Sequence, residues 1–466
     1  MVEAILLNPP EKNLYGKVDT SKTNILVAPL GILYIAGYIR EHNHTVKIID
    51  ARLYGNDFTV FFKKTLQEET PRFVGITCAT PSIIECLELA EIIKSVNSNI
   101  KVVLGGHHPS ALPKETIAYE SIDIVIYGEG ELAFLNLLEN EDLKKIKGIC
   151  YKENSKIIQN PPQELIENLD LLPWPAYDLL EDINKYKFTL GGTTINLITS
   201  RGCPYNCSFC SSRVINKGRY RTRSITGVVD EIEHYIKDFG IKQFNITDDT
   251  FNVVPKRVYD FCSELNKRKL DLNWWSCNAR INTASYELMK AMKEAKCRFV
   301  QFGIESGNQE ILNKVDKNVA LEQIENAVKA TKKAGLEVYG YFMLGLPFET
   351  PETARQTIEF AKKLDLDYAQ FAVLTPMPGS KIWELTKNKN GISLLSKNWG
   401  DFKRYGDPII ETPAMTKDEL KNFHKLAYKE FYFRPRYLIK HLFRIKLYDI
   451  WTSIKGAMSV LEFVKR

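Results

Sequence analysis

The stretch that decides the fold is Ser200-Arg201-Gly202-Cys203-Pro204-Tyr205-Asn206-Cys207-Ser208-Phe209-Cys210. It places three cysteines at the spacing C-x3-C-x2-C, directly after a predicted strand at 194–199. Thiolates are the preferred ligands of iron–sulfur clusters, which usually take four of them. Three cysteines on one loop can hold three irons of a [4Fe–4S] cube and leave the fourth iron open. An open coordination position is typical of a catalytic metal site.

A structural zinc site is the alternative interpretation of these cysteines. Zinc normally takes a fourth Cys or His, usually from a second C-x2-C pair. After Cys210 the next cysteine is Cys262 and the next histidine is His234, so no such pair exists in the sequence. The spacing therefore favours a cluster over zinc.

The chain that follows the cysteines alternates between strands and helices. Strands are predicted at 194–199, 243–247, 273–276, 299–304, 338–344 and 368–374. Helices are predicted from Ser224 to just before Gly240 and from Leu321 to Ala334, with residues at both ends that cap helices. Six strand–helix units are too few for a closed eight-fold barrel. We therefore expect a partial, six-stranded βα barrel over 191–395 and a helical region over 396–466.

The first part of the chain shows the same alternation in a separate series. Strands are predicted at 3–7, 45–49, 73–77, 101–104 and 123–127, with helical patterns between them. This rhythm is typical of a doubly wound, Rossmann-like α/β domain, here over 1–145. Proline-rich stretches at 160–162 and 172–175 interrupt it and predict a linker over 146–190.

Polar and glycine-rich loops follow three of the N-terminal strands. Asp50, Arg52 and Gly55 follow the second strand, Thr77 ends the third, and Gly105-Gly106-His107 follows the fourth. Ligands of such sheets bind beyond the carboxyl ends of the strands, and paired glycines let the backbone approach a large planar ligand. We therefore expect a binding crevice at this edge.

Composition excludes several classes of protein. The 466 residues are 44% hydrophobic and 26% charged, which is globular rather than collagen-like, mucin-like or disordered. The first residues hold only a short apolar run, and no window of about 18 apolar residues occurs, so neither a signal peptide nor a membrane span is expected. Nine cysteines without a disulfide pattern predict a cytoplasmic protein.

The net charge of +6 resides at the C-terminal end. Residues 429–466 hold nine Lys and Arg against three Asp and Glu, whereas the rest of the chain holds 54 of each sign. The balanced body lacks a basic face for nucleic acid. The basic and aromatic tail predicts either an interfacial helix on anionic lipid or a helical cap over the barrel.

The cysteine spacing, its place after the first strand and the six units together resemble the radical S-adenosylmethionine (SAM) superfamily. The resemblance implies a [4Fe–4S] cluster on Cys203, Cys207 and Cys210 whose open iron chelates SAM. By the same resemblance, the remaining candidates line the SAM or substrate pocket: Phe209, Asp248, Asp249, Arg280, Glu305, Ser306 and Gly345. Arg280 also fits an ordinary surface arginine.

The N-terminal loops resemble a cobalamin-binding domain, whose signature is Asp-x-His-x-x-Gly, then a Ser/Thr loop, then Gly-Gly. Here Arg52 stands where that family has its axial histidine, and arginine cannot ligate cobalt. The resemblance implies cobalamin bound without that histidine. We interpret His107 and His108 as loop residues rather than metal ligands. A domain that binds a nucleotide, or nothing, remains the alternative.

This domain order resembles the radical enzymes that pair a cobalamin domain with a radical SAM barrel. The resemblance implies an enzyme that methylates an unactivated carbon through a 5′-deoxyadenosyl radical and methylcobalamin. It fits equally a radical cyclase of the magnesium-protoporphyrin monomethyl ester type. A methylthiotransferase is disfavoured because Cys78, Cys86 and Cys150 have no cluster spacing, and an electron carrier or cobalamin-binding regulator ranks last. Expected partners are a small-molecule or lipid substrate and a flavodoxin or ferredoxin.

Overall fold

Two sheets organise the chain, one in each half. The computed structural model describes residues 1–10, 26–140, 142–187, 192–387, 391–403 and 406–442. The first sheet has seven strands in the order β2-β1-β3-β4-β5-β6-β7, and the second has six in the order β15-β14-β13-β12-β11-β8. Their connections are long enough to carry helices, as parallel strands require.

The N-terminal sheet confirms the doubly wound prediction. Strands β1 to β5 run parallel, and Ala4, Ile5, Leu6 and Leu7 of β1 are all buried, because helices cover both faces. The strands are β1 Ala4–Asn8, β2 Val46–Asp50, β3 Phe73–Thr77, β4 Lys101–Gly105, β5 Ile124–Ile126, β6 Ile149–Glu153 and β7 Lys156–Gln159. The helices are α1 Leu30–Glu41, α2 Phe58–Glu69, α3 Ile83–Val96, α4 His107–Ala111, α5 Pro113–Ile117 and α6 Glu131–Leu138.

Strands β6 and β7 lie in the stretch that the sequence suggested was a linker. They form an antiparallel hairpin on the edge of the sheet. Asn154 and Ser155 between them have φ of 50° and 61°, the two positive values of a tight hairpin turn. The sheet therefore continues to Gln159, and the irregular part of the linker begins only after it.

The second sheet confirms the partial barrel. Its six strands are β8 Ile195–Leu197, β11 Gln243–Ile246, β12 Asn273–Ala279, β13 Cys297–Glu305, β14 Glu337–Leu344 and β15 Tyr368–Val373, and a small hairpin joins β9 Ser200–Arg201 to β10 Arg221–Thr222. The helices are α7 Arg213–Asn216, α8 Ile225–Phe239, α9 Pro255–Lys267, α10 Tyr286–Glu294, α11 Gln309–Lys314, α12 Leu321–Lys333, α13 Pro351–Lys363 and α14 Lys381–Lys387. The caps predicted for α8 are present: the Ser224 hydroxyl accepts from the Gly227 N–H, and Gly240 has φ of 62°.

Tyrosine hydroxyls cover the two open edges of this sheet. On the β8 edge, Tyr177 Oη accepts from the N–H of Asn196 and donates to its carbonyl, both at 2.9 Å. On the β15 edge, Tyr432 Oη accepts from the Ala369 N–H at 3.2 Å and donates to its carbonyl at 2.6 Å. Each hydroxyl therefore takes the place of one residue of a missing neighbouring strand.

The linker passes between the two sheets. The Ala176 N–H donates to the carbonyl of Leu33 in α1, and Tyr235 of α8 donates to the carbonyl of Pro175. A Cβ on Gly37 would lie 2.7 Å from the carbonyl oxygen of Trp174, so glycine allows this close approach. The linker is thus packed on both sides.

The C-terminal region is only partly helical, so the prediction of continuous helix beyond residue 397 is wrong for 397–403 and 406–416. The first of these stretches holds a turn in which the Asn398 side chain accepts from the Gly400 N–H. The second holds β17 Ile410–Glu411, which pairs with β16 Ser393–Leu394. Helices α15 Lys417–Tyr432 and α16 Pro435–Leu442 follow. Residues 443–466, most of the predicted interfacial tail, lie outside the described residues. No helix in the described part of the chain is long and apolar enough to cross a bilayer.

Candidate metal and cofactor site

The cysteine loop is fixed to the barrel by its backbone. The Ser208 N–H donates to the carbonyl of Val315, and the Ser208 carbonyl accepts from the N–H of Ile382, both at 3.0 Å. At the start of the loop, Gly202 has φ of 90°, and a Cβ there would lie 1.9 Å from the carbonyl oxygen of Arg219. Only glycine fits this turn, which directs the chain into Cys203.

Each cysteine sulfur has its own hydrogen-bond donor from a different element. The Thr250 hydroxyl lies 3.3 Å from Cys203 Sγ, and the Ser212 N–H donates to Cys210 Sγ at 3.5 Å. The third donor, Arg280 Nη1, lies 3.8 Å from Cys207 Sγ. Donors of this kind stabilise thiolates and tune a metal bound to them. Thr250 lies in the motif Asp248-Asp249-Thr250-Phe251, which the resemblance placed at the pocket, whereas Ser212 was not predicted because a backbone donor carries no sequence signal of its own.

The donor set fits an iron–sulfur cluster. Three thiols lie on one loop, and each has a hydrogen-bond donor close to its sulfur. Thiolates are the usual ligands of such clusters, and a [4Fe–4S] cube offers each thiol a separate iron. Burial raises the pKa of Cys210, and the nearby thiols of Cys207 and Cys203 raise it further.

Arg280 is not a surface residue, so that alternative is wrong. The residue is 6% exposed, its guanidinium lies 3.8 Å from the centre of the Tyr205 ring, and its Nε donates to Asn282. A fixed positive charge therefore lies beside Cys207.

The two adjacent aspartates support the loop. The buried Asp248 carboxylate accepts from the Thr199 N–H and hydroxyl at 2.6 Å and from the Ser200 hydroxyl at 2.5 Å; burial raises its pKa. Asp249 accepts from the Gly202 N–H at 2.9 Å and from the Asn216 side chain at 3.1 Å. Both carboxylates are thus already engaged by the segments on either side of the cysteines.

Glu305 lies at the carboxyl end of β13 in a strained conformation. Its φ is 70°, and its carboxylate pairs with Lys317 at 2.8 Å. A Cβ on Gly303 would lie 2.4 Å from Glu305 Oε1 and 2.9 Å from Lys317 Nζ, so Gly303 makes room for the pair. Lys317 Nζ also lies 5.9 Å from the Phe209 ring centre, which places the pair next to the cysteine loop. Lys317 was not predicted as a site residue, because a single lysine in a loop has no motif of its own.

Ser306 and Gly345 have structural roles at the ends of β13 and β14. The fully buried Ser306 hydroxyl contacts the Thr357 hydroxyl of α13 at 3.2 Å, on the helix side of the sheet. Gly345 has φ of 79°, and its N–H donates to Glu349 Oε2 at 2.5 Å. Burial raises the pKa of that Glu349 carboxyl to about 8. The residue after Gly345, Leu346, forms a small apolar cluster with Ile311 and Val315, and Phe209 of the cysteine loop packs against that cluster.

At the N-terminal sheet, Asp50 and Arg52 bind each other. Arg52 Nε and Nη2 donate to the two oxygens of Asp50 at 2.8 and 2.6 Å, and Nη2 also donates to the Val27 carbonyl at 2.6 Å. Gly55 forms a turn with φ of 56°. The strand order reverses between β1 and β3, so the crevice opens beside Thr77 and the loop after β1, one strand away from Arg52. Most of that loop, 11–25, lies outside the described residues.

The two adjacent glycines, Gly105 and Gly106, have different structural roles. Gly106 has φ of 105°, and a Cβ there would lie 2.7 Å from the Cys78 carbonyl oxygen, so it serves the contact between two loops. At Gly105 a Cβ would have nothing closer than 3.9 Å, and at Gly128 nothing within 4 Å. These two positions leave space for a ligand. A cavity of about 690 Å³ opens beside Gly128 and extends to Val214 of α7, a volume typical of ligand sites.

His107 begins the helix that links the two halves of the site. Helix α4, which starts at this residue, packs against α7, the helix that closely follows the cysteine loop. Burial lowers the pKa of the His107 imidazole, and the charge of Asp249 opposes that shift. His108 is buried, bonds to the Thr80 hydroxyl at 3.2 Å and has a pKa lowered to about 4 by burial.

Comparison with known families assigns both halves. Residues 197–361 match the model of the radical SAM superfamily, and residues 16–138 match the B12 binding domain. The matches confirm the predicted cofactors at the level of these two domains: a [4Fe–4S] cluster with SAM, and cobalamin. The individual site residues remain predictions.

Relatives match over most of the chain. It is 38% identical over 466 residues to an uncharacterized methyltransferase of Pyrococcus horikoshii, covering 99% of each protein. It is 30% identical to an anaerobic magnesium-protoporphyrin IX monomethyl ester cyclase of Rubrivivax gelatinosus, covering 88% of this chain and 74% of the relative.

Solved structures share the fold at low identity. The cobalamin-dependent radical enzyme OxsB gives a TM-score of 0.75 at 18% identity, covering 99% of this chain and 72% of that one. The methyltransferase TsrM from Kitasatospora setae gives a TM-score of 0.70 at 19% identity, and the match covers 87% of this chain and 85% of TsrM. The chain belongs to the family of cobalamin-dependent radical SAM enzymes.

Proposed function

We propose that this enzyme transfers a methyl group from SAM to an unactivated carbon of a small-molecule substrate. The observation that carries the proposal is that helix α4, which begins at His107 after the paired glycines, packs against helix α7, which closely follows the cysteine loop. Methyl transfer of this kind requires that the cobalamin site and the cluster–SAM site adjoin the same substrate cavity. The similarity to the P. horikoshii methyltransferase supports the same reaction.

The chain's own residues would hold three groups in place. Cys203, Cys207 and Cys210 would bind the cluster, and Glu305 with Lys317 offers both charge signs for the amino and carboxylate ends of SAM. Gly105 and Gly128 would leave room for cobalamin. When bound, the cluster and SAM supply a 5′-deoxyadenosyl radical, and cobalamin carries the methyl group.

The test is anaerobic reconstitution of the full chain with iron, sulfide and cobalamin, followed by chemical reduction with SAM present. We expect both 5′-deoxyadenosine and S-adenosylhomocysteine by mass spectrometry. Cys207→Ala should abolish 5′-deoxyadenosine, whereas Cys262→Ala, a buried cysteine on the outer helix α9, should not. Absence of both products from the wild-type protein would contradict the proposal.

A cyclase is the second candidate, because one such enzyme is 30% identical over most of its length. Cyclisation consumes no methyl group, so 5′-deoxyadenosine without S-adenosylhomocysteine would favour it. Once a substrate is known, product mass separates the two, because methylation adds one CH2.

Two partner predictions accompany the proposal. A flavodoxin or ferredoxin would supply the low-potential electron. The basic residues 429–466 would meet anionic lipid, and sedimentation with neutral or anionic vesicles tests this; equal sedimentation with both would contradict it.

A further inference from the structure

A group of four charges, three of them buried and Arg201 partly buried, joins the two sheets, and we name it the clasp: Glu129, Glu131, Arg201 and Arg221. Arg201 donates to Glu129 at 2.8 Å and to Glu131 at 2.6 Å. Arg221 donates to both oxygens of Glu129, at 2.9 and 3.0 Å. Glu129 lies in the turn after β5 and Glu131 is the first residue of α6, whereas the two guanidiniums come from the β9–β10 hairpin.

Each side of the clasp adjoins one cofactor site. Glu129 directly follows Gly128, whose open space lines the cavity of the N-terminal sheet. Arg201 directly precedes Gly202, the turn that leads into Cys203. The Ile166 N–H of the linker also donates to Glu129, at 2.8 Å, so Glu129 ties together both sheets and the linker.

Stability alone does not account for these charges. Glu129, Glu131 and Arg221 are 7%, 4% and 5% exposed, and a buried ion-pair group is often no more stabilising than apolar residues of the same volume. What such a group supplies is geometry: two forked guanidiniums fit the carboxylates in one arrangement only. A shift of the turn at Gly128 would therefore be passed to the cysteine loop.

We propose that the clasp couples the two cofactor sites, with Glu129 as the positioning residue, so that cobalamin and SAM bind cooperatively. This rests on the proposed function, because it requires both cofactors to bind. With cobalamin bound beside Gly128, the turn would hold Glu129 in place and Glu129 would hold Arg201. The cysteine loop would then already be ordered, so SAM binding would lose less free energy in ordering it. By linkage, SAM must tighten cobalamin binding by the same factor.

The test measures the dissociation constant of hydroxocobalamin by absorbance, on the cluster-loaded full chain, with and without SAM. For the wild type we expect SAM to tighten cobalamin binding about 5-fold or more, the usual range for coupled sites. Glu129→Gln should reduce that factor below about 2-fold. Glu131→Gln removes one carboxylate from Arg201 but leaves its bond to Glu129, and it leaves both bonds between Arg221 and Glu129. We therefore expect this variant to give a coupling factor between those of the wild type and Glu129→Gln. It replaces Glu129→Gln in the test if that variant does not fold.

Asp367→Asn is the matched control. Asp367 is equally buried and pairs with Lys332 at 2.6 Å, at the opposite end of the barrel strands. It should lose stability but keep the full coupling factor. Coupling that persists in Glu129→Gln, or is absent from the wild type although both cofactors bind, would overturn the clasp proposal alone. Failure of the wild type to bind cobalamin or SAM would overturn the proposed function instead.

Discussion

Arg280 brings a full positive charge to the sulfur of Cys207. Reduction of a cluster adds a negative charge, which that guanidinium stabilises. Arg280→Gln should therefore lower the cluster's midpoint potential by about 60 mV, the one-electron equivalent of about 1.4 kcal/mol. Redox titration followed by electron paramagnetic resonance measures the shift. An unchanged potential at full cluster content would contradict this role.

Glu349 makes stability depend on pH. Its buried carboxyl has a pKa of about 8 against an ordinary 4.5, and its Oε1 has no hydrogen-bond partner in the structure. Between these pH values the unfolded carboxyl has lost its proton while the folded one still holds it. The free energy of unfolding should therefore fall as pH rises from 4.5 to about 8. Urea titrations at several pH values should show a shallower fall for Glu349→Gln, which cannot ionise; an identical slope would exclude this carboxyl as the cause.

At the scale of single residues, the sequence predicted which positions gather at the strand ends but not their tasks. The cluster ligands were predictable from the sequence, because thiolates at the spacing of Cys203, Cys207 and Cys210 have few other functions. Asp248 and Ser306 were expected at the pocket, yet they bond to neighbouring backbone and helix, since a short polar side chain satisfies either need. Lys317 and Glu129 act through residues distant in sequence, which spacing alone cannot reveal.

At the scale of elements, the tyrosine-covered edges should matter for stability. Tyr432→Phe removes the partner of the buried Ala369 N–H and carbonyl, and Tyr177→Phe does the same at Asn196. Each should cost about 1–3 kcal/mol, the penalty for unpaired buried polar groups. Urea denaturation provides the measurement.

Tyr428→Phe is the control on the same helix and strand. Tyr428 donates to the Phe371 carbonyl, which His424 also contacts at 2.8 Å, so one partner remains. Its cost should be clearly smaller than that of Tyr432→Phe. Equal costs would mean that ring packing rather than edge pairing carries the effect.

The strands were predictable because both faces of each parallel sheet are covered, which produces runs of Val and Ile that stand out from helical patterns. The hairpin β6–β7 was not predicted, because the prolines that follow it indicate a linker. Asn154-Ser155, which lies between two apolar runs, is nevertheless itself a turn signal. The helix predicted from residue 397 does not form at 398–401, because the Asn398 side chain accepts from the Gly400 N–H and so stabilises a local turn instead.

At the scale of the whole molecule, the halves are interleaved. The linker packs between α1 and α8, the clasp joins the sheets, and Trp399 from the C-terminal region donates to Glu115 at 3.0 Å and packs on His108. We therefore expect a single unfolding transition, with equal calorimetric and van't Hoff enthalpies. Two resolved transitions in differential scanning calorimetry would show that the sheets unfold independently.

The overall plan was recognisable from the order of two motif sets along one chain. The relation between the sheets was not, because it depends on Glu129, Tyr186 and Trp399, whose partners lie far away in sequence. Tyr186, for example, donates to Asp50 at 2.9 Å across 136 positions.

The two tyrosine covers are made at different times during synthesis. Tyr177 precedes β8, so that edge is shielded as soon as it emerges, whereas Tyr432 follows β15 and reaches it only later. At about 5–20 residues per second, β15 waits several seconds with an open edge. During that interval one edge of the nascent sheet is covered by Tyr177, whereas the other has unpaired backbone groups that can bind another strand. Yield in a crowded expression host should therefore depend on translation speed and chaperone supply after residue 373, more than on the stability of the finished protein.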